Sequence, residues 1–251
     1  MNDLTILVTG VGAPGAPSII KALRKNGERK VNIIGIDINP LASGSVLVDK
    51  FYVGPPFNSK SFIQNILDIC EVSATNVICP LVTRELGKFS NHLTDFSQKN
   101  ITVCVMPEPM LSNANNKIKL LEKMEECNLH TPLYKRASDV DSFILAAHQL
   151  GFPKHPICFK PAEANGSRGF RVLSPSIDRC SILFNQKPTS VYADFNDIVD
   201  VFQNSERIPE LIVMEYLPGD EYSVDMLVSH GKALCIVPRK RLLTSGGIST
   251  V

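Results

Sequence analysis

The chain opens with an apolar run, a glycine turn and an amphipathic stretch in direct succession: LTILV, then TGVGAPGAPS (Thr9 to Ser18), then IIKALRKNG. That order constrains the fold more than any other feature. A strand that enters a glycine turn and leaves as a helix is half of a strand–helix–strand unit. Such units build parallel sheets covered by helices. The pattern repeats: VNIIGID, KFYVG, NVICPL and ITVCVMP read as further strands, and residues 17–26, 59–72 and 84–99 as helices. Pro14 and Pro17 suit a helix entrance, where a missing N–H costs little.

Gly10, Gly12 and Gly15 carry G-x-G-x-x-G spacing, and the second strand ends at Asp37, about where a dinucleotide fold places its ribose acid. One reading is an NAD(P)-binding oxidoreductase or epimerase; the other is a tight turn that binds nothing. A short-chain reductase or sugar epimerase needs Tyr-x-x-x-Lys. Four residues beyond the tyrosines lie Pro56, Ser138, Asn196, Asp220 and Met226, so the motif is missing. The dinucleotide reading is therefore the alternative. A non-catalytic nucleotide-binding protein is a third class.

Composition narrows the partners. The net charge of +1 argues against a general nucleic-acid or membrane-surface binder. The N-terminal apolar run is broken by Gly and Pro, unlike a signal peptide, and no apolar run reaches the length of a membrane span. The 7 cysteines show no C-x-x-C, which suits reduced thiols in a cytoplasmic protein. Cys79, Cys104, Cys158 and Cys235 lie in strand-like runs and read as buried fillers. The histidines lack metal-ligand spacing, and no metal ligand is assigned within the chain.

Near MPEPMLSNANN (106–116) Pro, Ser and Asn cluster as in a linker. NKIKLLEKMEECNLHTP then reads as an amphipathic helix, and residues 139–150 as another, capped by Ser138 or Asp139. CFKPAEANGSRGF follows. It puts Lys160 at the end of an apolar strand, then a loop with Gly166, Ser167 and Gly169. Such a hairpin can fold over a polyphosphate while the lysine neutralises charge; a solvated hairpin with a chance lysine is about as good a reading. Residues 175–193 are poorly patterned and 194–204 look helical. In VMEYLPGDEYSVD an apolar strand exits through Glu215, Tyr216 and Leu217 to Pro218-Gly219, with Glu221 just beyond. That exit can offer backbone groups to a base edge and a carboxylate to ribose hydroxyls; a plain strand–turn–strand is the simpler reading. Two strands around a His-Gly turn, the basic run PRKR (238–241) and a glycine pair end the chain.

In this order and spacing, with Lys117, the motifs resemble the ATP-grasp superfamily, in particular the large subunit of carbamoyl-phosphate synthase and its shorter relatives. The resemblance runs through most of the chain. It implies an α/β fold: a Rossmann-like parallel-sheet domain preceding the ATP-grasp domain (1–112), a first ATP-grasp lobe (113–214) and an incomplete α+β second lobe (215–251). It implies that Lys117 and Lys160 hold ATP phosphates beneath a lid at Gly166, Ser167 and Gly169. It implies that Glu215, Tyr216 and Leu217 line the adenine, that Glu221 takes the ribose, and that Arg239 or Arg241 faces the γ-phosphate or an acyl phosphate. The opening glycines then serve the turn and the approach of helix to sheet. The turn at Thr83, Arg84 and Glu85, past a strand end, faces the acceptor substrate in that family; a helix start capped by Thr83 is the equal alternative.

The implied activity is ATP-dependent joining of a small-molecule carboxylate to an amine through an acyl phosphate. Such chemistry needs cations and exclusion of water more than a nucleophilic side chain. ATP and Mg²⁺ are the implied cofactors. After Asp225 the sequence contains no Asp, Glu, Asn or Gln, so the metal ligands are expected beyond the C-terminus. These 251 residues alone are then expected to bind nucleotide weakly and to turn over nothing. Unpaired strand edges lead to the expectation of self-association, for example as a homodimer, or of disorder near the C-terminus.

Overall fold

The computed structural model describes residues 3–164, 166–187, 190–242, 244–245 and 248–249. The glycine pair at 246–247 lies outside them. The chain forms two compact units, Met1–Ala114 and Asn115–Val251.

The first unit alternates strands and helices: β1 (Leu4–Thr9), α1 (Ala16–Arg24), β2 (Val31–Asp37), a 3₁₀ turn (Ser45–Leu47), β3 (Lys50–Val53), α2 (Phe62–Val72), β4 (Val77–Pro80), α3 (Thr83–Asn91), α4 (Leu93–Gln98) and β5 (Thr102–Val103). The strands form one parallel sheet in the order β3-β2-β1-β4-β5. Both faces are covered. Leu7, Ile34 and Ile78 pack with Phe62, Ile66, Phe89 and Phe96 on one side; Ile6, Val8 and Ile33 pack with Ala16 and Ile20 on the other. Burial on both faces is why these strands read as continuous apolar runs rather than alternating ones. The stretch 84–99 is two helices, broken at His92, whose ring bonds the Asp95 carboxylate at 2.7 Å. The expected linker at 106–116 contains α5 (Met110–Asn115), anchored by buried Leu111.

The second unit begins with α6 (Lys117–Glu126). Asn116 caps it by accepting from the amides of Ile118 and Lys119. Then come β6 (Tyr134–Ala137), α7 (Val140–Gln149), β7 (Ile157–Pro161), β8 (Arg171–Leu173), α8 (Arg179–Asn185), β9 (Tyr192–Ala193), α9 (Phe195–Gln203) and β10 (Leu211–Glu215). Asp139, not Ser138, caps α7, in a reciprocal box with Ser142. The strands form a mixed sheet in the order β6-β10-β7-β8-β9. Its core gathers Ile157, Phe159, Leu173, Leu211 and Val213 against Phe143 and Ala147 of α7. Phe143 meets Phe159 edge-on at 5.2 Å and Phe202 of α9 at 5.1 Å. Burying aromatic and branched side chains of this size is worth about 1.5–3 kcal/mol each, so this core sets the position of β7 and β10.

Next comes an antiparallel hairpin, β11 (Tyr222–Ser229) and β12 (Lys232–Lys240), turned by His230 and Gly231, both at positive φ. Nearly all of its side chains are exposed, including Met226, Ile236 and Cys235. Cys104 is exposed and Cys79 half-buried; of the four cysteines expected to be buried, only Cys158 is.

Candidate functional site

The glycine turn of the first unit is built for closeness. Gly10 sits at φ +62°, and a Cβ there would fall 2.3 Å from Val82 Cγ2. The Gly12 amide donates to Asp37 Oδ2 at 2.8 Å, and the Asn39 amide donates to Oδ1 at 2.9 Å. The acid that would meet a ribose is thus bonded to the glycine turn through Oδ2 and to its own turn through Oδ1. At the neighbouring strand end Val82 occupies the cap position of α3 and makes no side-chain cap bond; Thr83 is the first helical residue. Glu85 is buried, with Oε2 lacking a partner. Burial pushes its carboxyl upward; a hydrogen bond from Thr9 opposes this, and the charge of Asp37 adds to it.

The second unit holds a cleft of about 740 Å³ between the β7–β10 strand ends, the loop after β7 and the start of β11. Lys117, Lys160, Gly166, Ser167, Glu215, Tyr216, Leu217 and Glu221 all line it. These residues lie far apart in sequence, and the fold brings them around one cleft. The cap at Asn116 turns Lys117 inward, whereas Lys119 is exposed and lies outside the cleft. Strand alternation places Lys160 beside Cys158, with Ile157 and Phe159 in the core.

Lys117 Nζ donates to the carbonyls of Ala162 at 3.2 Å and Ala164 at 2.7 Å. Burial lowers its pKa, the charge of Lys160 lowers it further, and Glu163 pulls the other way. Two ammonium groups that feel each other in a half-enclosed cleft suit a polyanion. The loop beyond β7 bends through Gly166, Ser167 and Gly169, all at positive φ. Gly169 does not line the cleft. It lets the loop pack on Pro161, whose Cδ would lie 2.7 Å from an added Cβ.

The opposite end is a strand exit. The Glu215 amide donates to Leu133 O at 3.0 Å, and its carboxylate accepts the Leu133 amide at 2.8 Å. That carboxylate is therefore structural. The Glu215 carbonyl accepts only the Cys158 thiol, at 3.6 Å, and Leu217 makes no backbone hydrogen bond among the described residues. This exit can offer an acceptor and a donor to a flat base. Burial, then the charge and hydrogen bond of Tyr192, raise the Tyr216 phenol. Through Tyr192 the poorly patterned segment 175–193 reaches the strand exit at Tyr216.

Neither Arg239 nor Arg241 lines the cleft. Arg239 Nε pairs with Asp225 at 2.6 Å, Lys240 pairs with Asp220 at 2.6 Å, and Arg241 pairs with Glu221. Sequence reasoning missed Cys158, Arg168, Phe170, Met214 and Tyr222 as lining residues. Cys158 was legible in principle from its i,i+2 spacing to Lys160 on one strand; Met214 joins it only through the β7–β10 register.

The residues fit a nucleotide with phosphates. They do not fit a divalent cation. Among the described residues no three His, Cys, Asp or Glu side chains cluster, and the cleft's carboxylates at 215, 220 and 221 already hold protein donors.

A parallel-sheet unit followed by a mixed-sheet unit resembles, in fold, the ATP-grasp superfamily. The comparisons show this resemblance. Residues 6–104 match the PylC-like N-terminal domain family, and residues 207–251 match the family described as ATP-grasp in the biosynthetic pathway with Ter operon. The fold is similar to that of N5-carboxyaminoimidazole ribonucleotide synthetase in its ADP complex (TM-score 0.64, 15% identity, covering 97% of this chain and 55% of that one). It is also similar to the L-amino acid ligase of Bacillus licheniformis (0.59, 12%, covering 96% and 51%). The biotin carboxylase domain of Hydrogenobacter thermophilus 2-oxoglutarate carboxylase, solved with MgADP and bicarbonate, is a third (0.55, 18%, covering 87% and 45%). The chain thus spans about half the length of these structures. Comparison with curated protein sequences gave no match. No helix among the described residues is long and apolar enough to cross a membrane.

Proposed function

We propose that the cleft binds the adenine nucleotide of an ATP-dependent ligase that joins a carboxylate to an amine through an acyl phosphate. The observation that carries this is the pairing of Lys117 and Lys160 at one end of a cleft whose other end is the Glu215–Leu217 strand exit. Lys117 and Lys160 hold the phosphates, the Gly166–Ser167 turn closes over them, and the Glu215 carbonyl and Leu217 amide address the base. Glu221 reaches the ribose once it releases Arg241. Arg241 is then the cation freed toward the transferring phosphate; its pairing with the cleft-lining Glu221 favours it over Arg239, which pairs with Asp225 outside the cleft. Within the superfamily, likeness to carbamoyl-phosphate synthase remains our reading of the motifs. A ligase of this type also uses magnesium, and among the described residues the cleft's carboxylates are already engaged by protein donors. The reaction is of a kind carried out in the cytoplasm on small molecules, with no nucleic acid or membrane as partner.

Calorimetry with ADP, ATP, NAD and NADP tests the reading. ADP and ATP should bind and the dinucleotides stay silent. Lys160→Ala should weaken ADP by about 1.5–3 kcal/mol, the worth of one charge-assisted contact. Binding of NAD or NADP with ADP silent would overturn the assignment.

A further inference from the structure

Cys79 and Cys104 lie far from the nucleotide cleft in sequence and belong to the first unit. Each follows directly on an in-register pair, Ile78 of β4 and Val103 of β5. The ladder runs one step further, because the Cys104 amide donates to Ile78 O at 2.9 Å. The two cysteines therefore stand side by side at the C-terminal ends of neighbouring parallel strands. Side chains alternate along a strand. Ile78 and Val103 enter the core against α2, α3 and α4, so both thiols leave the opposite face, where Cys79 packs against the other core. Cys79 is half-buried, Cys104 is exposed, and both are free thiols.

Two thiols without a third ligand do not make a zinc or iron–sulfur site, and among the described residues no third His, Cys, Asp or Glu joins them. An exposed thiol beside a shielded one is instead the arrangement of an attacking and a resolving cysteine. We propose that Cys79 and Cys104 form a redox-reversible cross-strand disulfide, with a low-molecular-weight disulfide as the oxidant. Cys104 gives up its proton to water, and its thiolate attacks one sulfur of the oxidant. A mixed disulfide forms and one thiolate leaves. The Cys79 thiolate then attacks the Cys104 sulfur, forms the Cys79–Cys104 bond and expels the second thiolate. Two protein thiols are oxidised, one small disulfide is reduced to two thiols, and the two protons end on the departing sulfurs.

In-register neighbours sit about 4.8 Å apart across a sheet, inside the Cα separation of roughly 4.4–6.8 Å that a disulfide spans, and Cys104 can adjust to bring the sulfurs together because β5 is a two-residue strand at the sheet edge. Burial holds both thiols above their ordinary values, at Cys79 reinforced by the charge of Cys104, so the exchange is best run in mildly alkaline buffer; Cys104 attacks first because it is the more exposed of the two.

The full chain is incubated with oxidised glutathione, the remaining thiols are alkylated after denaturation, and the peptides are mapped by mass. The expected result is a peptide pair linked through Cys79 and Cys104, with loss of both alkylation sites, reversed by reduced glutathione. The exposed Cys127, Cys180 and Cys235 should carry glutathione as mixed disulfides only. Cys79→Ser should stop the reaction with glutathione on Cys104. The proposal is overturned if wild-type Cys104 keeps its glutathione, or if Cys79 remains fully alkylatable. The wild-type map decides between these outcomes whether or not the variant folds.

Discussion

Lys117 is a cation in a place that resists charge. Burial and Lys160 both favour its neutral form, and two main-chain carbonyls hold the ammonium in readiness. A polyphosphate would reverse that balance and raise the pKa. The sign follows: binding takes up a proton wherever free Lys117 is neutral. ADP affinity should be full below the lowered pKa of free Lys117 and should fall as pH rises through it, earlier than for an ordinary lysine. Calorimetry across the alkaline range checks this, and Lys117→Ala should remove that part of the decline. Lys119→Ala should leave ADP affinity unchanged, since Lys119 is exposed and lies outside the cleft. Equal losses at both positions would show that the register of α6 against the cleft is misjudged.

The elements were legible where local chemistry is strong. The parallel strands announced themselves as apolar runs, α7 by the cap candidates Ser138 and Asp139, of which Asp139 caps it, and the hairpin by His230-Gly231. The short elements were not. β6 (YKRA) is held by pairing with β10, not by its own composition, and α5 sits in a stretch whose Pro and Asn content reads as linker. The cleft was legible as separate motifs, but its lining on the Cys158 side depends on strand pairing that composition does not reveal. The arginines were placed by resemblance, and the ion pairs across the hairpin are tertiary facts. Two glycines separate turn from helix. Gly10→Ala should destabilise the first unit by about 1–2 kcal/mol from the left-handed backbone alone, more if Val82 cannot move aside. Gly87 lies within α3 with nothing within 4 Å of an added Cβ. Gly87→Ala should stabilise by about 0.5–1 kcal/mol. Denaturant unfolding of the two variants should therefore move in opposite directions.

At the scale of the molecule, order is uneven. β7 and β10 are clamped in an aromatic core, whereas the β11–β12 hairpin exposes apolar side chains such as Val224, Met226, Leu234 and Ile236. A two-stranded hairpin is marginal by itself. Amide exchange at residues 223–238 should be far faster than at 157–160 and 211–214. Added ADP should slow exchange at 166–170 and 219–222, which border the cleft. Uniform protection along the second unit would contradict both the packing and the site.

β7 serves two masters on alternate residues. Ile157 and Phe159 belong to the core, and Cys158 and Lys160 to the cleft wall; on β10, Leu211 and Val213 face the same core while Met214 reaches the cleft. A saturation library read once for abundance and once for nucleotide capture should therefore split along these two strands with a period of two. Substitutions at 157, 159, 211 and 213 should empty both readouts, while many at 160 and 214 should keep abundance and lose capture. Selection can thus retune what this cleft accepts without renegotiating the fold, one residue at a time along the same strand.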